Sequence, residues 1–208
     1  MVKRIISSAI CGVYISIGAT AFIAIEDPVM AALFFSAGIL MVSVFFNMLI
    51  TRVVALYPYN DYNTADVFIS LFGNAAGCFV YAALLNVTRF GNEARLNKLT
   101  TAVEARLNDS YASIFVLAIF CGIMVASASL SAKSLPDNRG AALALSVIFI
   151  AVFVICGHEH IVADVFYFAY YAFKFGFKAE FIPILLIVAA GNIVGGMGTG
   201  YLDRYRRK

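Results

Sequence analysis

His158-Glu159-His160 and Asp164 interrupt residues 139–173, a stretch that is otherwise almost wholly apolar, and they include the only two histidines of the chain. An imidazole can exchange a proton near neutral pH, which makes His160 the candidate for proton exchange or hydrogen bonding to a passing solute. A carboxylate such as Glu159 can accept hydrogen bonds from the open N–H groups at the start of a helix, a structural role. His158 and Asp164 belong to the same polar network. The metal alternatives fit poorly. An H-E-x-x-H zinc helix needs a histidine where Val162 stands. His158 and His160, two residues apart, diverge on a helix, which disfavours a three-ligand site of His158, His160 and Asp164. No metal and no cofactor is implied, and nucleophile-elbow and phosphate-loop motifs are absent.

These ionisable groups fall where the centre of a membrane span is expected. The 208 residues are 62% hydrophobic and 13% charged, with mean hydropathy +0.90, too little polar surface for a soluble domain of this length. The apolar residues cluster into runs near the roughly 20 residues that cross a hydrocarbon core. Six segments emerge, about 5–24, 28–57, 64–88, 109–131, 139–173 and 181–201, separated by turn-forming or charged stretches, the longest being the polar run 89–109. Lys3, Arg4 and the following apolar run resemble a signal peptide, but the run is long enough to span and reads as the first helix. Segments 2 and 5 are too long and too interrupted for single spans. Each reads as two half-helices, broken at 47–51 and at 157–160. An ionisable group at the centre of a span costs about 3 kcal/mol, so its default reading is functional. The four cysteines, Cys11, Cys78, Cys121 and Cys156, all lie in apolar runs and read as small buried side chains.

With both termini cytoplasmic, the inner side carries eight Lys and Arg residues (Lys3, Arg4, Lys133, Arg139, Arg204, Arg206, Arg207, Lys208) and the outer side six. That bias favours a multi-pass protein of the inner (plasma) membrane with both ends inside. Basic residues confined to loops and the C-terminus give no sign of nucleic-acid binding.

The two halves share punctuation. Cys11-Gly12-Val13 is echoed by Cys121-Gly122-Ile123, and Gly73-Asn74-Ala75-Ala76-Gly77 by Gly191-Asn192-Ile193-Val194-Gly195. Thr51 lies 39 residues after Gly12, and His160 lies 38 after Gly122. Small residues four apart let helices approach closely in lipid. Three spans per half is an odd number, so like halves must insert in opposite directions, with a site near the midplane where they meet. The expected fold is therefore all-α: one transmembrane channel domain, 1–208, of six transmembrane helices in two inverted three-helix repeats (about 1–88 and 109–208) with helices 2 and 5 broken. An aquaporin pore shares that plan but needs two Asn-Pro-Ala elements, and no Asn-Pro occurs.

Gly157-His158-Glu159-His160-Ile161-Val162-Ala163-Asp164 resembles the G-F-E-H-S-x-A-N signature of the formate–nitrite transporter family. Gly191-Asn192-Ile193-Val194-Gly195-Gly196 is similar to that family's G-N-x-x-G-G, and Asn47-Met48-Leu49-Ile50-Thr51 to the end of its second helix, L-F-T. The resemblance spans nearly the whole chain. It implies an aquaporin-like homopentamer in membrane lipid, one pore per protomer, passing small monovalent weak-acid anions such as formate, nitrite or hydrosulfide. It places His160 on the pore histidine, Thr51 on the facing threonine, Phe153 on a constriction, and Phe35, Ile39 and Leu49 on the apolar positions of helix 2. Glu159, His158, Asp164 and Asn192 become the supporting polar network. The chain departs from the pattern at His158 and Asp164, which replace phenylalanine and asparagine. A lysine ahead of helix 4 falls on Ser110, with Arg106 or Lys98 as substitutes. The competing reading is a membrane-embedded, metal-dependent enzyme using His158, His160 and Asp164.

Overall fold

The computed structural model describes residues 1–45 and 48–208; Phe46 and Asn47, the start of the expected first break, lie outside the described residues. Nine α-helices are described: α1 (Val2–Ala24), α2 (Pro28–Phe45), α3 (Ile50–Leu56), α4 (Thr64–Asn86), α5 (Glu93–Leu107), α6 (Tyr111–Ser134), α7 (Arg139–Ile155), α8 (Ile161–Phe175) and α9 (Phe181–Arg206). Five of them (α1, α2, α4, α6 and α9) are long and apolar enough to cross a membrane, and α7 is a shorter apolar helix. At 1.5 Å per residue the 23 residues of α1 and α4 reach about 35 Å, more than a hydrocarbon core.

Local chemistry sets the ends. Asn63 and Asp66 form a reciprocal capping box at the start of α4, while Asn92, Ser110 and Asn138 cap α5, α6 and α7. Ser110 is thus a helix cap. The polar run 89–109 separates α4 from α6 as expected, but most of it, Glu93–Leu107, folds into α5. Its apolar residues suffice for one stripe: Leu99 and Val103, four apart, are fully buried and seat α5 against α8 and α1.

Two helix pairs form the core, α1 with α4 and α6 with α9. Their backbones touch. A Cβ added at Gly12 would lie 2.1 Å from the Asn74 carbonyl oxygen, and one at Gly122 would lie 2.6 Å from that of Asn192. Only glycine permits either contact. The short helices cross over between the pairs: α3 docks on α6 and α9, whereas α8 docks on α4 and α1. Outward-facing Phe68, Phe72, Phe79, Leu84, Ile148, Ile182 and Leu186 are all exposed, an apolar exterior that suits lipid or neighbouring subunits.

Polar contacts collect at the two ends of the bundle. At one end Arg4 pairs with Asp66 at 2.5 Å, Lys133 with Asp61 at 3.0 Å, and Arg207 donates to the Lys133 carbonyl. Tyr59 there donates to Asp203 at 2.6 Å. Both termini therefore sit at this end. At the opposite end Lys98 donates to the Ile25 carbonyl and Lys174 to that of Asn86. The chain is a multi-pass integral membrane protein.

Candidate functional site

Two helix interruptions meet in the core. The first lies between α2 and α3, where Leu49 precedes the first turn with extended backbone. The second follows α7, where Gly157 takes φ +67°, a left-handed conformation that glycine enters without strain. His160 then starts α8. Each gap is bridged by one asparagine. Asn74 accepts a hydrogen bond from Ile50 N–H at 2.9 Å and donates to the Met48 and Ser8 carbonyls, both at 2.8 Å. Asn192 accepts from Ile161 N–H at 3.0 Å and donates to the Glu159 and Ala118 carbonyls, both at 2.8 Å. Each side chain satisfies backbone groups that the break would leave buried and unpaired. The repeated Gly-Asn pattern read as helix packing is therefore also the brace of both breaks. Asn74 has no place among the sequence-derived site residues; its match to Asn192 was the available signal.

Thr51 Oγ1 and His160 Nε2 face each other at 3.3 Å across the junction, and both residues are buried. On the other side of the ring, the Ala163 N–H donates to His160 Nδ1 at 3.3 Å, so the side chain caps its own helix. A nitrogen that accepts an N–H carries no proton. The neutral imidazole therefore bears its hydrogen on Nε2 and points it at Thr51, whose hydroxyl proton is left to donate elsewhere. The Phe153 ring stacks on the imidazole, centroids 5.9 Å apart, and meets Phe35 edge-on at 5.7 Å. Ile39 and Leu49 are buried in the same apolar core.

A cavity of about 200 Å³ opens from the α5 end of the protein, and Phe35, Phe153, His158, Glu159 and His160 all line it. Arg106, from α5, reaches into this cavity. Its Nη2 lies 2.6 Å from Glu159 Oε2 and 2.9 Å from Asp164 Oδ1, and its Nε donates to Asp164. Burial pulls the guanidinium pKa down, but the Asp164 and Glu159 carboxylates more than offset this and raise it, so Arg106 stays charged. Glue of this kind differs from the expected role of Glu159: the N-terminus of α8 is held by Asn192 and His160, and Glu159 pairs with a cation. Of the two basic substitutes for the lysine, Arg106 lines the cavity. Lys98 instead sits over the Phe22 ring at 4.5 Å, where burial lowers its pKa. His158 stands apart from this network, against Phe120 at 5.6 Å. Arg106 is the functional-site residue that sequence reasoning placed only as a substitute.

Among the described residues no three His, Cys, Asp or Glu side chains converge as a metal site would require. An apolar exterior, interrupted helices meeting at a buried polar pair and a cavity leading to that pair define the class: a membrane transport protein. The formate/nitrite transporter model matches residues 1–202, and the chain belongs to that family. Its family sets it among channels and transporters rather than enzymes. Among solved structures, a pentameric formate channel with formate bound is similar at TM-score 0.80 and 19% identity, over 98% of this chain and 97% of that one. An FNT family ion channel is similar at TM-score 0.84 and 18% identity, over 100% of this chain and 90% of that one. These likenesses establish the shared fold. No curated protein sequence matches the chain significantly.

Proposed function

We propose that the chain is a channel for small monovalent weak-acid anions, such as formate, nitrite or hydrosulfide, in which the solute passes between Thr51 and His160. The observation that carries the reading is that hydroxyl–imidazole pair, buried where two interrupted helices meet. The protomer is one transmembrane domain with six crossings: α1, α2 with α3, and α4 in one half, then α6, α7 with α8, and α9 inserted the opposite way. The paired braces Asn74 and Asn192 and the exchange of short helices support this symmetry. Both termini lie in the cytoplasm of a plasma membrane, in keeping with the basic cluster at their shared end. The exposed apolar faces and the pentameric state named for a similar channel support a homopentamer.

Mechanistically, Phe35, Phe153, Ile39 and Leu49 oppose a bare anion, because desolvating a charge costs far more than desolvating its neutral acid. The start of α8 favours negative charge near His160. His160 then serves as a fixed Nε2–H donor. Handing over that proton would leave an imidazolate, and adding one at Nδ1 would set two N–H groups against each other. The anion therefore meets a hydrogen bond from His160 and from the Thr51 hydroxyl, and the proton that neutralises it for the apolar stretch is drawn from the acid–base equilibrium of the bulk solution, entering through the cavity. The test is formate uptake into proteoliposomes. Wild-type protein should carry formate faster than empty vesicles, and His160→Asn should slow it. Equal rates with and without protein, or an unaltered rate in the variant, would refute the proposal.

A further inference from the structure

His158 is the ionisable side chain of the second interruption that the transport path above leaves without a task. It lines the cavity at the α5 end, together with Arg106, Glu159, His160, Asp164 and Tyr167; the rest of that lining is apolar. From α6 the ring meets Phe120. Its Nδ1 is nevertheless buried without a hydrogen-bond partner, so the imidazole is uncommitted. The fixed charge around it works against an anion. Arg106 is paired with both Glu159 and Asp164, and the three sum to one negative charge. His160 is held neutral by the Ala163 N–H on its Nδ1. Tyr167 lies under the Arg106 guanidinium at 5.4 Å, and a phenol is uncharged near neutral pH. The charge of this cavity therefore changes near neutral pH through His158, the side chain whose ordinary titration falls there.

We propose that His158 is the anion-receiving group of the α5 mouth, an imidazolium that offers an N–H and a positive charge to small monovalent carboxylates and oxyanions. An unperturbed imidazole titrates at about pH 6.5. Below its midpoint the ring is charged and brings the cavity to neutrality, so the anion is held. As pH rises through the midpoint that charge is lost, and the surplus carboxylate repels the anion. A bound anion favours the charged ring in return, so binding must raise the midpoint. The inference rests on the transport reading above and assigns acid-sensitive entry at one mouth to one residue.

Nitrogen NMR of the histidine-labelled protein in phosphatidylcholine follows the titration of His158, whose signal is identified by its loss in H158F. Formate should raise the midpoint by about one pH unit, equivalent to about tenfold tighter binding to the charged ring. Formamide, uncharged and of similar size, should leave it in place. Flux gives a second readout. Vesicles that a resin fails to capture through a C-terminal tag present the α5 end outward. In them, with empty-vesicle uptake subtracted, the half-saturating formate concentration is compared at an outer pH of about 7.5 and about 5.5, either side of the imidazole range. Its fall on acidification should be about tenfold larger in wild type than in H158F, which keeps a ring against Phe120 but carries no nitrogen. Captured vesicles, with the terminal end outward, should show the same fall in both proteins. A midpoint indifferent to formate, or an H158F response equal to wild type at the α5 face, overturns the proposal. A midpoint that formate raises in a protein that passes none would sink the transport reading and leave the site standing; formate passage with an unmoved midpoint would sink the site alone.

Discussion

Arg106→Gln tests how the α5 end is held. The guanidinium makes two ion pairs, with its side chain 12% exposed, against an Asp164 that is 0% and a Glu159 that is 9% exposed. It also donates to the Ala102 carbonyl at 2.7 Å. Glutamine reaches less far and carries no charge, so two carboxylates remain together in a largely dry site. Breaking a buried pair by removing one partner costs about 3–5 kcal/mol, chiefly because the orphaned charge stays buried. For a chain of this size 1 kcal/mol moves the melting temperature by about 2–4 °C, so a fall on the order of 10 °C is expected. Neutralising the stranded partner should restore much of it: R106Q/D164N should melt well above R106Q. Thermal unfolding of the purified protein in detergent, followed by tryptophan-independent near-UV dichroism of its tyrosines, reads both values. R106Q melting within about 2 °C of wild type, or a double variant no more stable than the single one, would refute the reasoning.

Asn192→Ala removes three buried hydrogen bonds and should cost about 3 kcal/mol or more with loss of formate flux; Asn74→Ala should behave alike, and melting temperature together with vesicle uptake checks both. Gly122→Val would press a Cβ to 2.6 Å from the Asn192 carbonyl oxygen and 2.9 Å from Gly196 N, both backbone, so a loss of about 3 kcal/mol is expected. Gly198→Ala, with nothing within 4 Å of the added atom, should instead gain up to about 1 kcal/mol from helix propensity; the opposite order of the two melting temperatures would count against the packing account.

Much of this arrangement was legible from single residues. Apolar runs of spanning length located the apolar helices with ends off by up to five residues, and Gly157-His158-Glu159-His160 located the second interruption to within a residue or two, because a membrane tolerates irregular polar backbone only inside protein. Matching the two halves put Thr51 and His160 at equivalent breaks, and the family resemblance is what implied that they face each other. The first interruption was legible in part, since Asn47 lies outside the described residues. The helix α5 was not legible: its run is polar, and two buried residues, Leu99 and Val103, make too thin a stripe to stand out. Arg106 was obscured for the same reason. It lies 53 residues before Glu159, and only the docking of α5 on α8 brings the two within 2.6 Å. The tautomer of His160 depends on a backbone N–H three residues on, which no spacing rule reveals.

Nitrogen NMR of the membrane-embedded protein probes His160 most directly, with the chain labelled at histidine and His158→Gln leaving a single ring. At pH 7 the signal should show a proton on Nε2 and none on Nδ1, and added formate should shift the Nε2–H resonance as the anion takes up that donor. A proton found on Nδ1, or an Nε2 signal indifferent to formate, would contradict the passage of the anion between this imidazole and Thr51.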